Sequence, residues 1–288
     1  MKAYRLGLYE KSMPNTLSLP EKLAEAKKAG FDYLELSIDE SDEKLSRLDW
    51  GQEEIEALCN AQIEQGIPIS SICLSGHRKY PLGHPDPEVQ KQSLQIMEKA
   101  IRLASRLGIR LIQLAGYDVY YEPSSPQTRE NFAKNLDICV QMAAREGVVL
   151  GFETMETPFM NTVTKAMYWV NQIHSPYLQV YPDIGNLTNA AVQYESDVCQ
   201  DLQFGAGHII AVHLKETTPG VFREVPFGTG HVDFDTLAPL THRLGACMFV
   251  GEFWYTGQEN WKEILQSNNR FLRSALDMES PVLQPCLV

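Results

Sequence analysis

VVLGFE (148–153), LQVYPD (178–183), IIAVH (209–213) and CMFVGE (247–252) are short apolar runs, each closed by an acidic or imidazole residue. Runs of this length, bounded by Gly or polar residues, read as strands buried on both faces. Glu153, Asp183 and His213 follow one another at intervals of 30 residues, and Glu252 comes 39 later. Each interval has room for one helix and two loops. If each run is a strand of one barrel, the four side chains meet at a common rim.

The same alternation extends back to the N-terminus. YRLGLY (4–9), FDYLELS (31–37), IPISSICLS (67–75) and IRLIQLAG (109–116) read as four earlier strands. Between them, LPEKLAEAKKAG stops at Gly30, GQEEIEALCNAQIEQG reads as helix, and a long amphipathic stretch from Asp86 ends at Gly108. TRENFAKNLDICVQMAAREG continues as helix to Gly147, and further helical patterns fall at 163–174, 196–205, 234–244 and 258–276. Eight β and eight α segments in strict alternation imply parallel strands joined by helical crossovers, and the length favours closure into a (β/α)₈ TIM barrel. An open doubly wound sheet is the weaker reading, because no GxGxxG follows the first strand. No linker or composition shift divides the chain, so residues 1–288 are expected to be a single domain. The apolar, proline-bearing stretch at 277–288 is expected to be a C-terminal tail.

Composition narrows the function classes. With 25 Lys+Arg against 37 Asp+Glu, the net charge of −12 opposes a nucleic-acid or anionic-membrane partner. No apolar stretch has the length of a signal peptide or a membrane span. Cysteines at 59, 73, 139, 199, 247 and 286 form no CxxC pair and read as reduced residues of a cytoplasmic protein.

Active sites of such barrels form at the C-terminal ends of the strands. Those ends carry Tyr9 and Glu10, Glu35, the SGHRKYP segment, Gln113, and then Glu153, Asp183, His213 and Glu252. A single terminal Glu is commonly a helix cap, and a single His a satisfied core residue; four of them in successive units propose a metal site. Three carboxylates and an imidazole are hard-to-borderline donors suited to one divalent ion, Mn²⁺, Zn²⁺, Co²⁺ or Mg²⁺. Without the ion, the clustered carboxylates would repel one another. Ser75, His77 and Arg78 follow strand three, while Lys215 and Arg223 follow strand seven, beside the VPFGTGHVDF stretch of 225–234 and its GTG. As plain structure these are cationic loops; as function they hold an anionic group such as a phosphate.

LGLYEKSMP, FDYLELSIDESDEKLSRLDW, ICLSGHRKYPLG, IRLIQLAGYDVYYE, YPDIGNL, VHLKETTPGVFREVPFGTGHVDF and GEFW resemble, in order, stretches of the L-ribulose-5-phosphate 3-epimerases (L-xylulose-5-phosphate 3-epimerases) of the xylose-isomerase-like barrel superfamily. The resemblance runs from about residue 5 to 260. It implies a metal held by Glu153, Asp183, His213 and Glu252, with Glu153 and Glu252 doubling as acid and base. Departures from the family pattern are Thr154-Met155 in place of Ile-Met, GTG in place of GEG, and His231 at a usually aliphatic position. Asn186 stands where the ketohexose 3-epimerases place a His.

The expected reaction is therefore inversion at C3 of a ketopentose 5-phosphate, by proton removal and return through an enediolate. A free ketose is the alternative substrate, and an aldose–ketose isomerase the nearest rival on the same scaffold. A phosphodiesterase of the DNA-repair type would need more His ligands and a basic surface than 7 His and a charge of −12 supply. A silent sugar-binding protein would have no need of four intact ligands. The partner is expected to be a small sugar or sugar phosphate, and the assembly a homodimer.

Overall fold

The computed structural model describes residues 4–278. Its strands are β1 (Arg5–Tyr9), β2 (Tyr33–Ile38), β3 (Ile69–Leu74), β4 (Leu111–Ala115), β5 (Val149–Glu153), β6 (Leu178–Tyr181), β7 (Val212–Leu214) and β8 (Met248–Gly251). All pair in parallel, in the order β6-β5-β4-β3-β2-β1-β8-β7. The two ends of that order meet through the isolated bridges Val180–Ile209 and Asp183–His213, which close the barrel. The fold is a (β/α)₈ TIM barrel, as the alternation predicts.

The outer layer holds α1 (Leu19–Lys28), α2 (Asp42–Ser46), α3 (Gln52–Gln65), α4 (Pro87–Leu107) and α5 (Pro126–Glu146). It continues with α6 (Val163–Ile173), α7 (Ile184–Tyr194), α8 (Val198–Gln203), α9 (Phe234–Arg243) and α10 (Trp261–Leu276). Side-chain oxygens of Ser18, Asp86 and Ser125 cap the starts of α1, α4 and α5, each followed by Pro in the first turn. Left-handed Gly66, Gly108 and Gly147 end α3, α4 and α5.

Strict alternation needs correction at two places. The short α2 follows β2, and α7 follows β6 ahead of the expected helix, which is α8. IGNLTNAAVQY carries Gly185, Asn186, Thr188 and Asn189, all poor helix formers, so local propensity does not announce it. Asp183 caps its start and Ile184, Leu187 and Ala190 are buried, so packing and the cap decide.

One apolar core lies between strands and helices, and a second fills the barrel interior with Tyr9, Tyr33, Cys73, Leu111, Tyr181, Ala211 and Val250. Tyr33 crosses that interior to donate to the Phe249 carbonyl at 2.9 Å. A Cβ on Gly7 would stand 2.4 Å from its ring, so only glycine fits there. Among the described residues no helix is long and apolar enough to cross a membrane. The expected tail lies, from residue 279 onward, outside the described residues.

At the end of β1 a fully buried Glu10 gathers three cations. Arg47 grips both its oxygens at 2.6 and 2.8 Å, Lys44 lies at 2.7 Å and Lys22 at 3.2 Å, while the Ser37 N–H donates at 2.9 Å. This cluster ties α1 and α2 to the tops of β1 and β2. Burial works against the carboxylate, yet Arg47, Lys22 and Lys44 hold its pKa well below the usual range. Replacing Glu10 with Gln strands three buried cations, and an expected loss of about 3–5 kcal/mol would appear in urea unfolding at neutral pH. A carboxyl with a depressed folded pKa stabilises fully above its unfolded value and less as pH falls toward the folded one. The gap between wild type and variant should therefore be widest above about pH 5 and narrow in more acidic buffer.

Candidate metal centre and active site

Four strands bring their side chains to one point at the C-terminal mouth. Glu153 is the last residue of β5, and His213 sits in the middle of β7. Glu252 comes directly after β8, while Asp183 lies two residues past β6 as the cap of α7. Their places along the strands thus differ, and the stagger of the barrel brings them level. All four are buried, and one donor atom from each lies within 4.8 Å of the others.

The contacts are those of a charged, solvent-poor cluster. His213 Nδ1 lies 3.0 Å from Glu153 Oε1 and 3.5 Å from Glu252 Oε2. Gln113 donates to the other oxygen of Glu153. Asp183 Oδ1 accepts from the Asn186 N–H at 2.9 Å, and its Oδ2 lies 2.6 Å from Lys215 Nζ. Lys215 also stands 3.5 Å from Glu252 Oε2. Burial raises the Asp183 carboxyl to about 6, with Lys215 pulling the other way. Burial opposes charge on His213, but Glu35, Glu252 and Glu153 hold it well above its usual value. The Lys215 ammonium is likewise held charged against burial by Asp183, Glu252 and Glu153.

Three carboxylates here face one ammonium and one imidazole. Asp183 Oδ2 and Glu252 Oε2 are buried and make no well-aligned hydrogen bond; what faces them is the Lys215 ammonium, at 2.6 and 3.5 Å. Three buried carboxylates and an imidazole nitrogen within one ion's reach fit a divalent cation.

Above the cluster a small cavity of about 60 Å³ is lined by Glu153, Glu252, Ser75, Arg78, Lys215 and Arg223, among others. A larger opening of about 450 Å³ lies at the opposite mouth, lined by Arg5, Ile69, Leu111, Val149 and Met248. That one holds no acid or imidazole group, so chemistry rather than size locates the site. Arg78 lies over the Tyr120 ring at 4.8 Å, and Arg223 pairs with Glu156 at 3.2 Å. The loop carrying Arg223 is folded by the buried Glu216, which accepts from the N–H groups of Thr217, Gly228 and Val232. A Cβ on Gly230 would fall 2.0 Å from the Thr217 carbonyl, which accounts for that glycine of the GTG.

His77 is not brought to this cavity. It is buried against α4, with Nε2 3.1 Å from the Ser93 carbonyl oxygen. Burial lowers its pKa to about 4, so it is neutral at pH 7 and carries no charge for an anion. Lys11, Cys73, Met155, Glu156 and Trp254, none of them expected as site residues, also line the cavity. Each lies at or within three residues of a strand's C-terminal end, a signal that polar and apolar residues share.

Fold and site together define a (β/α)₈ barrel with a buried centre able to hold one metal ion beneath a small cavity lined by both acidic and basic side chains. The chain belongs to the xylose isomerase-like TIM barrel family, which it matches over residues 23–275. It is 48% identical over 250 residues to L-ribulose-5-phosphate 3-epimerase UlaE of Escherichia coli (strain SMS-3-5 / SECEC), covering 86% of this chain and 87% of that one. With the protein of the same name from Shigella sonnei (strain Ss046) it shares 46% over 266 residues, 92% of each chain. Among solved structures, D-psicose 3-epimerase from Clostridium cellulolyticum H10 superposes with a TM-score of 0.78 at 16% identity, over 94% of this chain and 99% of that one. An L-ribulose 3-epimerase gives 0.74 at 18% identity, over 95% of each. At such identities the structural likeness bears on the fold.

The His77 assignment gives a pH test. The unfolded chain takes up a proton near 6.5 while the native ring resists it until about 4, so acid favours unfolding across that window. Between pH 7 and 5, wild type should lose roughly 2 kcal/mol more stability than His77→Gln, as measured by urea unfolding.

Proposed function

We propose that this protein is a metal-dependent 3-epimerase of a ketopentose 5-phosphate, interconverting L-ribulose 5-phosphate and L-xylulose 5-phosphate. The observation that carries the reading is the pair Glu153 and Glu252, set on different walls of the barrel at one buried donor cluster. The 46–48% identity to curated L-ribulose-5-phosphate 3-epimerases over most of the chain supports it.

Inverting C3 requires removal of a proton next to the carbonyl and return of one to the opposite face. One carboxylate cannot easily reach both faces. Glu153 and Glu252 therefore divide the work, one taking the C3 proton and the other, protonated, giving one back; in the reverse direction they exchange roles. Glu153, Asp183, His213 and Glu252 would hold the ion, which supplies positive charge to steady the enediolate oxygens. Gln113 fixes the Glu153 carboxylate by donating to the oxygen turned away from His213. The barrel walls exclude water, which strengthens each of these interactions.

Lys215, Arg78, Arg223 and Ser75 line the same cavity and are assigned to the 5-phosphate. Arg223 already pairs with Glu156, and this favours a second reading in which the sugar is a free ketose. The donor set suits Mn²⁺, Zn²⁺, Co²⁺ or Mg²⁺. Free Cys59, Cys73, Cys139, Cys199 and Cys247 suit a reducing, cytoplasmic setting, and a homodimer is the default assembly.

Proton NMR of L-ribulose 5-phosphate in D₂O, with and without EDTA, tests the reading. Conversion to L-xylulose 5-phosphate with deuterium at C3, abolished by EDTA, is the expected result. Glu153→Gln and Glu252→Gln should each lower kcat by about 10³-fold. Near-normal turnover by either variant with metal bound would overturn the division of labour. Turnover of free L-ribulose but not the phosphate would favour the second reading, and a C1–C2 isomerised product would replace epimerase with isomerase.

A further inference from the structure

Glu35, near the middle of β2, is fully buried inside the barrel and does not line the cavity. Its Oε1 lies 2.6 Å from His213 Nε2, and its Oε2 accepts from Ser71 Oγ at 2.8 Å and Tyr181 O–H at 2.9 Å. Ser71 is its register partner on β3, and Tyr181 ends β6 with its ring edge-on to His213 at 4.8 Å. No lysine or arginine is within ion-pair reach of it among the described residues; His213 is its partner. A buried carboxylate is retained at a cost unless it is hydrogen-bonded and paired, so three donors directed at it mark a built arrangement.

From this geometry we infer that Glu35 is the positioning residue for His213, orienting it as a ligand; the inference rests on the metal reading above. By accepting from Nε2–H, Glu35 fixes the ring plane and the tautomer. It leaves the Nδ1 lone pair directed at Glu153, Asp183 and Glu252, and its negative charge makes that nitrogen a stronger donor. Ser71 and Tyr181 keep the carboxylate from turning away. Glu35 touches neither the cavity nor the other three donors, so its action passes through the imidazole alone.

The test is Co²⁺ binding to purified full-length protein, by calorimetry and by visible absorption of the bound ion. Wild type should bind one Co²⁺ per chain. Glu35→Gln should bind it 10–100-fold more weakly with an altered absorption band, since the amide lacks the charge and can turn its NH₂ toward Nε2. Tyr181→Phe keeps the carboxylate and removes one of its anchors, and should weaken binding only a few-fold; circular dichroism would show that both variants fold. Glu35→Gln binding within twofold of wild type, with an unchanged band, overturns the proposal and leaves the metal reading standing. Should Glu35→Gln fail to fold, wild-type affinity and an unchanged band in Tyr181→Phe would overturn the anchored arrangement. If wild type binds no divalent ion, both the metal reading and this role fall.

Discussion

Negative charge crowded into a low-dielectric space is the constraint around which the mouth of this barrel is arranged. Glu35, Glu153 and Glu252 lie buried around a single imidazole, His213, while Lys215 is the ammonium paired with Asp183 and Glu252. In such surroundings unit charges a few ångströms apart interact far more strongly than in water. Neighbouring groups have accordingly been recruited to steady the cluster. Gln113 donates to Glu153, the start of α7 donates to Asp183, and Ser71 and Tyr181 donate to Glu35.

The Glu10 cluster inverts that imbalance. There one carboxylate serves three cations, and the surplus is positive. The two clusters divide the labour of the same rim. One fixes the turn after β1, from which Lys11 reaches the cavity, and the segment after β2; the other supplies the chemistry.

Much of this was legible in the chain. Apolar runs with regular spacing and glycines closing α3, α4 and α5 announced the barrel, because both signals are local. Glu153, Asp183, His213 and Glu252 could be nominated as a group for the same reason: each closes a run. The helix α7 was hidden, since Gly185, Asn186 and Asn189 argue against helix and only burial and the Asp183 cap argue for it. His77 was misread because a short turn at Gly76–Arg78 sends neighbouring side chains in opposite directions, Arg78 to the cavity and His77 to α4. Glu35 appeared only as a strand-end acid. Its partner lies 178 residues away, and no local pattern records a contact at that separation.

The seam between β6 and β7 differs from every other junction in the sheet. Elsewhere neighbouring strands share a ladder of several residue pairs, while this junction is made through the single bridges Val180–Ile209 and Asp183–His213. The second of those bridges joins two of the four donors. That bridge sets the backbones of Asp183 and His213 side by side, so the placing of two donors and the closure of the sheet rest on one contact.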